Sequence, residues 1–250
     1  MRQPRIRMFA GPNGSGKSTI KEYLAPHQIG AYLNADELEK ELLLTQQLCL
    51  SDYHPDLSAH DLLAFLKQNK RKKNEKLVPL LCSQPKIILD QVIVFEVVEI
   101  DSYLCARIID FIRMAFLKLK ISFTFETVMS HVSKVEFLRE AQRQGFKTYL
   151  YYVATVDPKI NIARVQYRVH AGGHHVPEQK IYTRYYRSLD LLMSAIEASD
   201  RAYIFDNSSY GEKTSFIAEI ENAEVLKLNP AVHYFPKWFV EKVLNEFIQE

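Results

Sequence analysis

Short apolar runs alternate along this chain with longer stretches whose apolar residues recur every three or four positions, a pattern that predicts strands alternating with amphipathic helices. Ile6 to Ala10 is an apolar run and reads as a buried strand. Gly30 to Asn34 is a second, shorter one, and Ile121 to Phe125 alternates as a third, finishing at Glu126-Thr127. Phe146 to Ala154 is a strongly aromatic strand, and Ala202 to Asp206 is a further core strand. Helical spacing covers Glu37 to Leu50, Ser102 to Lys120, Val132 to Gly145, Asp157 to Val169 and Pro177 to Ser199, with Ala171 to Pro177 a glycine-containing loop. The tail carries an edge strand, Ala223 to Leu228, and an amphipathic helix from Pro236.

Repeated strand-helix alternation implies a mainly parallel sheet of five or six strands covered by helices on both faces, a three-layer α/β/α arrangement. The whole chain, 1–250, reads as one domain with a mainly helical insertion at about 51–100 and a C-terminal extension at about 209–250. The insertion is the least legible part. Asp61 to Leu66 is helical, whereas Lys86 to Val98 is β-branched and fits either two short strands or a buried helix. Ile87 to Asp90 imitates a Walker B strand only weakly.

The chemistry concentrates between the first strand and the first helix. Gly11-Pro12-Asn13-Gly14-Ser15-Gly16-Lys17-Ser18 is a complete GxxxxGK[ST] loop, the Walker A pattern, followed by Thr19. Glycines permit a tight wrap whose amides face phosphate oxygens, and a helix starting at Ser18 and ending near Pro26 adds its positive end. Lys17 is placed to reach the β- and γ-phosphates of ATP or GTP, and the Ser18 hydroxyl to ligate Mg²⁺.

Phosphoryl transfer also needs a group to deprotonate the acceptor and cations on the transferring phosphoryl. Asp36 comes one helix and one strand after Lys17, at a strand's C-terminal edge, where a carboxylate faces the ligand crevice of a parallel sheet. It could equally cap the helix that follows. Arg164 and Arg168 share a helix face at i, i+4, and Arg184 and Arg187 at i, i+3 on the next helix. Two such helices around Gly172-Gly173 suit a lid that closes over phosphates and excludes water. Glu126, at its strand end, suits substrate hydroxyls or a Mg²⁺-bound water. His170, His174 and His175 lack carboxylate companions and read as lid or surface residues, not a metal set.

Composition narrows the setting. At 250 residues and 47% apolar content the chain can bury a substantial core. Lys and Arg number 32 against 30 Asp and Glu, so net charge points to neither nucleic acid nor membrane. The six basic residues of Lys67 to Lys76 could track a nucleic-acid backbone or line a solvated loop. Cys49, Cys82 and Cys105 fit neither a disulfide framework nor a zinc site, and the most apolar stretch, Ile87 to Ile100, is broken by charges. A reducing cytoplasm is the expected location.

Taken together with Asn34-Ala35-Asp36-Glu37, Phe125-Glu126-Thr127, Arg164 to Val169, Gly172 to Pro177 and Arg184 to Leu189, the loop resembles the zeta-toxin family of P-loop kinases, and most of all the zeta-like branch labelled predicted ABC-type ATPase. The resemblance covers roughly residues 5–45 and 101–208. It implies sheet order 2-3-1-4-5, ATP-dependent phosphorylation of the amino sugar of UDP-N-acetylglucosamine, and an antitoxin protein that blocks the ATP site. By motif it makes Lys17 and Ser18 the nucleotide and Mg²⁺ residues, Asp36 the base, Glu126 and Thr127 the substrate-side strand end, and Arg164 and Arg168 the lid cations. Asp110, sixteen residues before Glu126, falls where the toxins place an acidic sugar contact. The chain departs from the family in reading Glu126-Thr127-Val128, where toxins have Glu-Gly-Thr, and in a histidine near Val176-Pro177 where they have a second lid arginine. It carries no LSGGQ-like signature. A nucleic-acid kinase and a nucleotide-responsive binding protein without transfer are the other functions the residues allow.

Overall fold

A computed structural model of the protein describes residues 3–68, 86–88, 90–95, 99–173, 175–209 and 213–248. Most of the basic run Lys67 to Lys76, together with Leu89 and His174, lies outside them. The chain divides into two compact units, Met1–Tyr32 with Ile121–Glu250, and Leu33–Lys120.

The first unit is built on β1 (Arg5–Ala10), β6 (Phe123–Thr127), β7 (Lys147–Ala154), β8 (Arg201–Asp206), β9 (Ser215–Glu221) and β10 (Val225–Leu228). With β2 (Ala31–Leu33) they form a seven-stranded sheet in the order β10-β9-β8-β7-β1-β6-β2. β1 runs parallel to β6 and β7, and β7 parallel to β8. Read through its five core strands, β1, β2, β6, β7 and β8, this is the 2-3-1-4-5 order implied by the resemblance. β9 and β10 extend the sheet antiparallel, so it has seven strands and not five or six. β9 escaped the sequence reading because Ser215 to Glu221 carries two glutamates, which take up Arg201 on β8 at 2.8 Å each. Burial on both faces fits the mostly apolar and aromatic residues of β7 and of Met8 to Ala10 in β1. One face carries Phe9, Tyr151, Val153 and Phe205, packed with Ile20. The alternate residue Tyr152 lies fully buried on the other face, its hydroxyl 3.1 Å from Ser188 Oγ.

Helices α5 (Ser133–Arg143), α6 (Pro158–His170), α7 (Glu178–Asp190) and α8 (Leu192–Glu197) complete most of this unit. Asp157 caps α6 by accepting the Lys159 amide at 2.7 Å, with Pro158 pre-set at the first helical position. The single helix expected from Pro177 to Ser199 is broken at Leu191 into α7 and α8. The segment after the phosphate loop is also not an α-helix. Lys17–Tyr23 is a 3-10 helix, followed by α1 (Pro26–Ile29), because Ser18, Thr19 and Ile20 are weak helix formers and Thr19 Oγ1 bonds the Gly16 carbonyl at 2.7 Å.

In the second unit α2 (Ala35–Thr45) and α4 (Ser102–Lys118) pack together, alongside α3 (Ala59–Gln68). β3 (Gln47–Cys49), β5 (Val92–Val94) and β4 (Lys86–Ile88) form a separate antiparallel sheet, so Lys86 to Val94 takes the strand alternative. Asp90 lies exposed in the turn between β4 and β5, at φ 47°, accepting Ser58 Oγ at 3.1 Å and facing His60. It ends no strand of the large sheet, which removes the Walker B reading. No helix among the described residues is long and apolar enough to cross a membrane.

Phe9 is fully buried in the cluster with Ile20 and Phe205. Phe9→Ala is expected to cost about 3–5 kcal/mol in urea denaturation. A loss below about 1 kcal/mol would contradict this packing.

Candidate active site

Residues 11–18 follow the C-terminal end of β1, the central one of the five core strands. Gly11, Gly14 and Gly16 have φ of 141°, 73° and 92°, a region that side-chain-bearing residues rarely adopt. Neighbours press on each one. A Cβ on Gly14 would stand 2.5 Å from the Asn161 carbonyl oxygen, and one on Gly16 would stand 2.1 Å from Asn207 Nδ2.

The loop's carbonyls are turned outward. Asn161 Nδ2 donates to the Asn13 carbonyl at 2.7 Å, and Asn207 Nδ2 to the Ser15 carbonyl at 2.8 Å. Asn161 is itself fixed by the Thr155 hydroxyl, and Thr155 by the Tyr185 hydroxyl, which burial keeps protonated by raising its pKa. Asn207 is fixed by its own amide on the Ala154 carbonyl, 2.9 Å, and by Arg164, which donates to the carbonyls of Asn207 at 2.7 Å and Ser209 at 3.1 Å. Opposite, Thr19 Oγ1 lies 3.0 Å from Thr214 Oγ1, and the Tyr23 hydroxyl donates to the Thr214 carbonyl. Pattern reading missed Asn161 and Asn207. Asn207 could have been found, since it follows the end of β8 just as Asn34 follows β2, whereas Asn161 is hidden inside α6 with no motif around it.

The trans peptide planes turn the Gly14 and Gly16 amides away from Asn161 and Asn207. The amides of Gly14 and Gly16 and the fully buried Ser15 hydroxyl have no hydrogen-bond partner among the described residues. Lys17 Nζ donates to the Pro12 carbonyl at 3.0 Å, and Ser18 is exposed. This cluster of donors, with a cation and a hydroxyl at its edge, fits a nucleotide phosphate chain with Mg²⁺.

The other expected residues divide between the units. Glu126 ends β6 beside β1, opposite Phe9, and its carboxylate accepts the Tyr32 hydroxyl. Thr127 Oγ1 accepts the Met129 amide at 3.1 Å, shaping the strand exit. Arg184 reaches Asn13 Oδ1 at 3.5 Å, so α7 does approach the loop, while Arg187 is exposed. Arg168 is half-buried at the end of α6. Gly173 packs on it so closely that a Cβ there would stand 2.6 Å from Arg168 Cγ. His170 Nδ1 turns to the Gln166 carbonyl of its own helix at 2.8 Å, and no acid-histidine-cysteine cluster suited to a metal occurs among the described residues.

In the second unit Asp36 is exposed in the first turn of α2 but does not cap it. Asn34 does, accepting the amides of Asp36 at 2.9 Å and Glu37 at 3.4 Å, so capping is not what Asp36 contributes. Asp110 on α4 accepts Arg113 Nη2 at 2.6 Å. Burial pushes the Arg113 pKa down and Asp110 opposes that, so Asp110 neutralises a buried cation whatever else it binds.

A phosphate-type loop on the central strand of a 2-3-1-4-5 sheet defines a P-loop kinase-like protein. No family model matches the chain. Over 69 residues it is 33% identical to an uncharacterized protein of Haemophilus influenzae, a match covering 28% of this chain and 49% of that relative, about half its length. Among solved structures the chain is similar to the AvrRxo1-ORF1:AvrRxo1-ORF2 complex with sulphate ions, at 13% identity and TM-score 0.52, covering 92% of this chain and 62% of that one. The same complex with ATP gives 12% identity and TM-score 0.52 over 92% and 61%. The PezAT toxin-antitoxin system of Streptococcus pneumoniae overlays at 14% identity and TM-score 0.47, over 100% of this chain and 89% of that one. At these identities the AvrRxo1 likeness is one of fold alone.

Gly14→Ala would force a Cβ at positive φ against the Asn161 backbone. It is expected to cost about 1–3 kcal/mol by thermal or urea unfolding. Unchanged stability would show that the loop is not wrapped as described.

Proposed function

We propose that this protein is a zeta-toxin-type phosphotransferase that moves the γ-phosphoryl group of ATP, with Mg²⁺, to a hydroxyl of a small molecule, with UDP-N-acetylglucosamine the leading acceptor and GTP the alternative donor. The observation that carries this reading is the set of donors at Gly14, Ser15 and Gly16 that have no hydrogen-bond partner among the described residues, on a Walker A loop at the end of the central strand.

Bound Mg-ATP would supply the transferable phosphoryl group and part of the charge neutralisation. Gly11 to Thr19 bind the phosphate chain, Lys17 adds a point charge, and Ser18 offers its hydroxyl to the metal. Asp36 is the proposed base, accepting the proton of the acceptor hydroxyl, a role that suits an exposed carboxylate in the first turn of α2. Arg164, Arg168, Arg184 and Arg187 are the proposed cations of the helix pair, with Arg184 next to Asn13. Glu126, Thr127 and Asp110 are the proposed acceptor-side contacts. Antitoxin binding in a cytoplasmic setting belongs to the same reading, by resemblance.

The test is mass spectrometry of products after incubation with Mg-ATP and a panel of nucleotide sugars. A phosphorylated nucleotide sugar is expected, and Asp36→Asn should lower its formation by about 10²-fold or more while ATP binding persists. ATP binding without product across the panel would instead favour a nucleotide-responsive binding protein. Unchanged transfer by Asp36→Asn would remove Asp36 as base.

A further inference from the structure

A phosphate cradle of backbone amides works only if those amides point inward in advance, and each peptide plane that turns its N-H inward must turn its carbonyl outward. In this loop both outward carbonyls on which the turn hinges, those of Asn13 and Ser15, end on asparagine side-chain amides, at 2.7 and 2.8 Å. The peptide units concerned are the ones that carry the amides of Gly14 and Gly16, which have no hydrogen-bond partner among the described residues. The geometry points to Asn161 and Asn207 as positioning residues that pre-set the phosphate-binding amides without touching the nucleotide. The inference rests on the proposal that this loop binds a nucleotide.

Three observations support it. The amide orientations are forced, because only the NH₂ end of an asparagine can donate to a carbonyl. Each asparagine is held from outside the loop, Asn161 by Thr155 and Asn207 by Ala154 and Arg164, so it presents a fixed donor and does not follow the loop. The fit is also close on the loop side, since Asn207 Nδ2 occupies the space that a Cβ on Gly16 would need. Asn207 is only half-buried, so shortening it removes the donor with little loss of packing, whereas Asn161 is fully buried and also answers Thr155.

The experiment is calorimetric titration of Mg-ATP into the wild-type full chain, Asn207→Ala and Asn207→Asp, with Lys17→Ala as the loss-of-binding control and the thermal midpoint of each nucleotide-free protein as a second readout. Asn207→Ala should weaken Mg-ATP binding about tenfold with a midpoint within about 2 °C of wild type. Asn207→Asp, which places an acceptor against the Ser15 carbonyl, should weaken it further. Wild-type affinity in Asn207→Ala would overturn the inference and leave nucleotide binding standing. A lowered midpoint with unchanged affinity would also overturn it, by assigning Asn207 a purely structural role. Failure of the wild type itself to bind Mg-ATP would overturn both the inference and the reading beneath it.

Discussion

The structure depends on one constraint, that three glycines of a single loop, at 11, 14 and 16, hold positive φ with neighbouring atoms standing where a Cβ would go. That conformation stores strain in any residue but glycine, and the surroundings must over-determine it to keep it. They do so from several directions. Val153 approaches Gly11 from β7, Asn161 approaches Gly14 from α6, and Asn207 approaches Gly16 from the end of β8. The loop is therefore shaped by the C-terminal edge of the sheet as much as by its own sequence. This accounts for the order of the central strands, since β1 must be flanked by β7, and β7 by β8, for these residues to meet the loop.

The same arrangement explains what the hydrophobic core is for. Phe9, Ile20, Tyr151, Val153 and Phe205 lock the loop's two flanks, β1 and the 3-10 segment, onto the neighbouring strands. Tyr151 and Tyr203 stack at 4.8 Å on that face, and Tyr23 anchors the 3-10 segment to Thr214 at the start of β9. The antiparallel β8–β9–β10 extension is thus joined to the loop through Thr214, and C-terminal Trp238 reaches the end of β8 through Asp206 at 3.1 Å. Elements far apart in the chain converge on one short turn.

The five core strands, the loop and the paired helices α6 and α7 were legible in the sequence because their signals are local: apolar runs, a fixed motif and capping residues. Core-strand order came from family resemblance, not from periodicity. What was not legible depends on tertiary partners. Ser215 to Glu221 becomes a strand because Arg201 lies opposite its glutamates, Lys17–Tyr23 tightens because Thr19 competes for a carbonyl, and Pro177 to Ser199 breaks at Leu191 without a glycine or proline to announce it. Lys17 and Ser18 were visible as motif residues, and Glu126 as a strand-end residue. Asn161 and Asn207 were not, because an asparagine that supports a backbone leaves no pattern of its own. Asp36 was visible, yet its competing role as a cap was settled only by the Asn34 side chain.

The central claim is that loop amides, already aimed inward, receive phosphate. Amide chemical shifts of isotope-labelled protein during titration with Mg-ATP, and separately with inorganic triphosphate, test it most directly. The account predicts that the Gly14 and Gly16 amide resonances move most in both titrations, in the direction of stronger hydrogen bonding. Shifts that leave both glycines unmoved while others respond would contradict it.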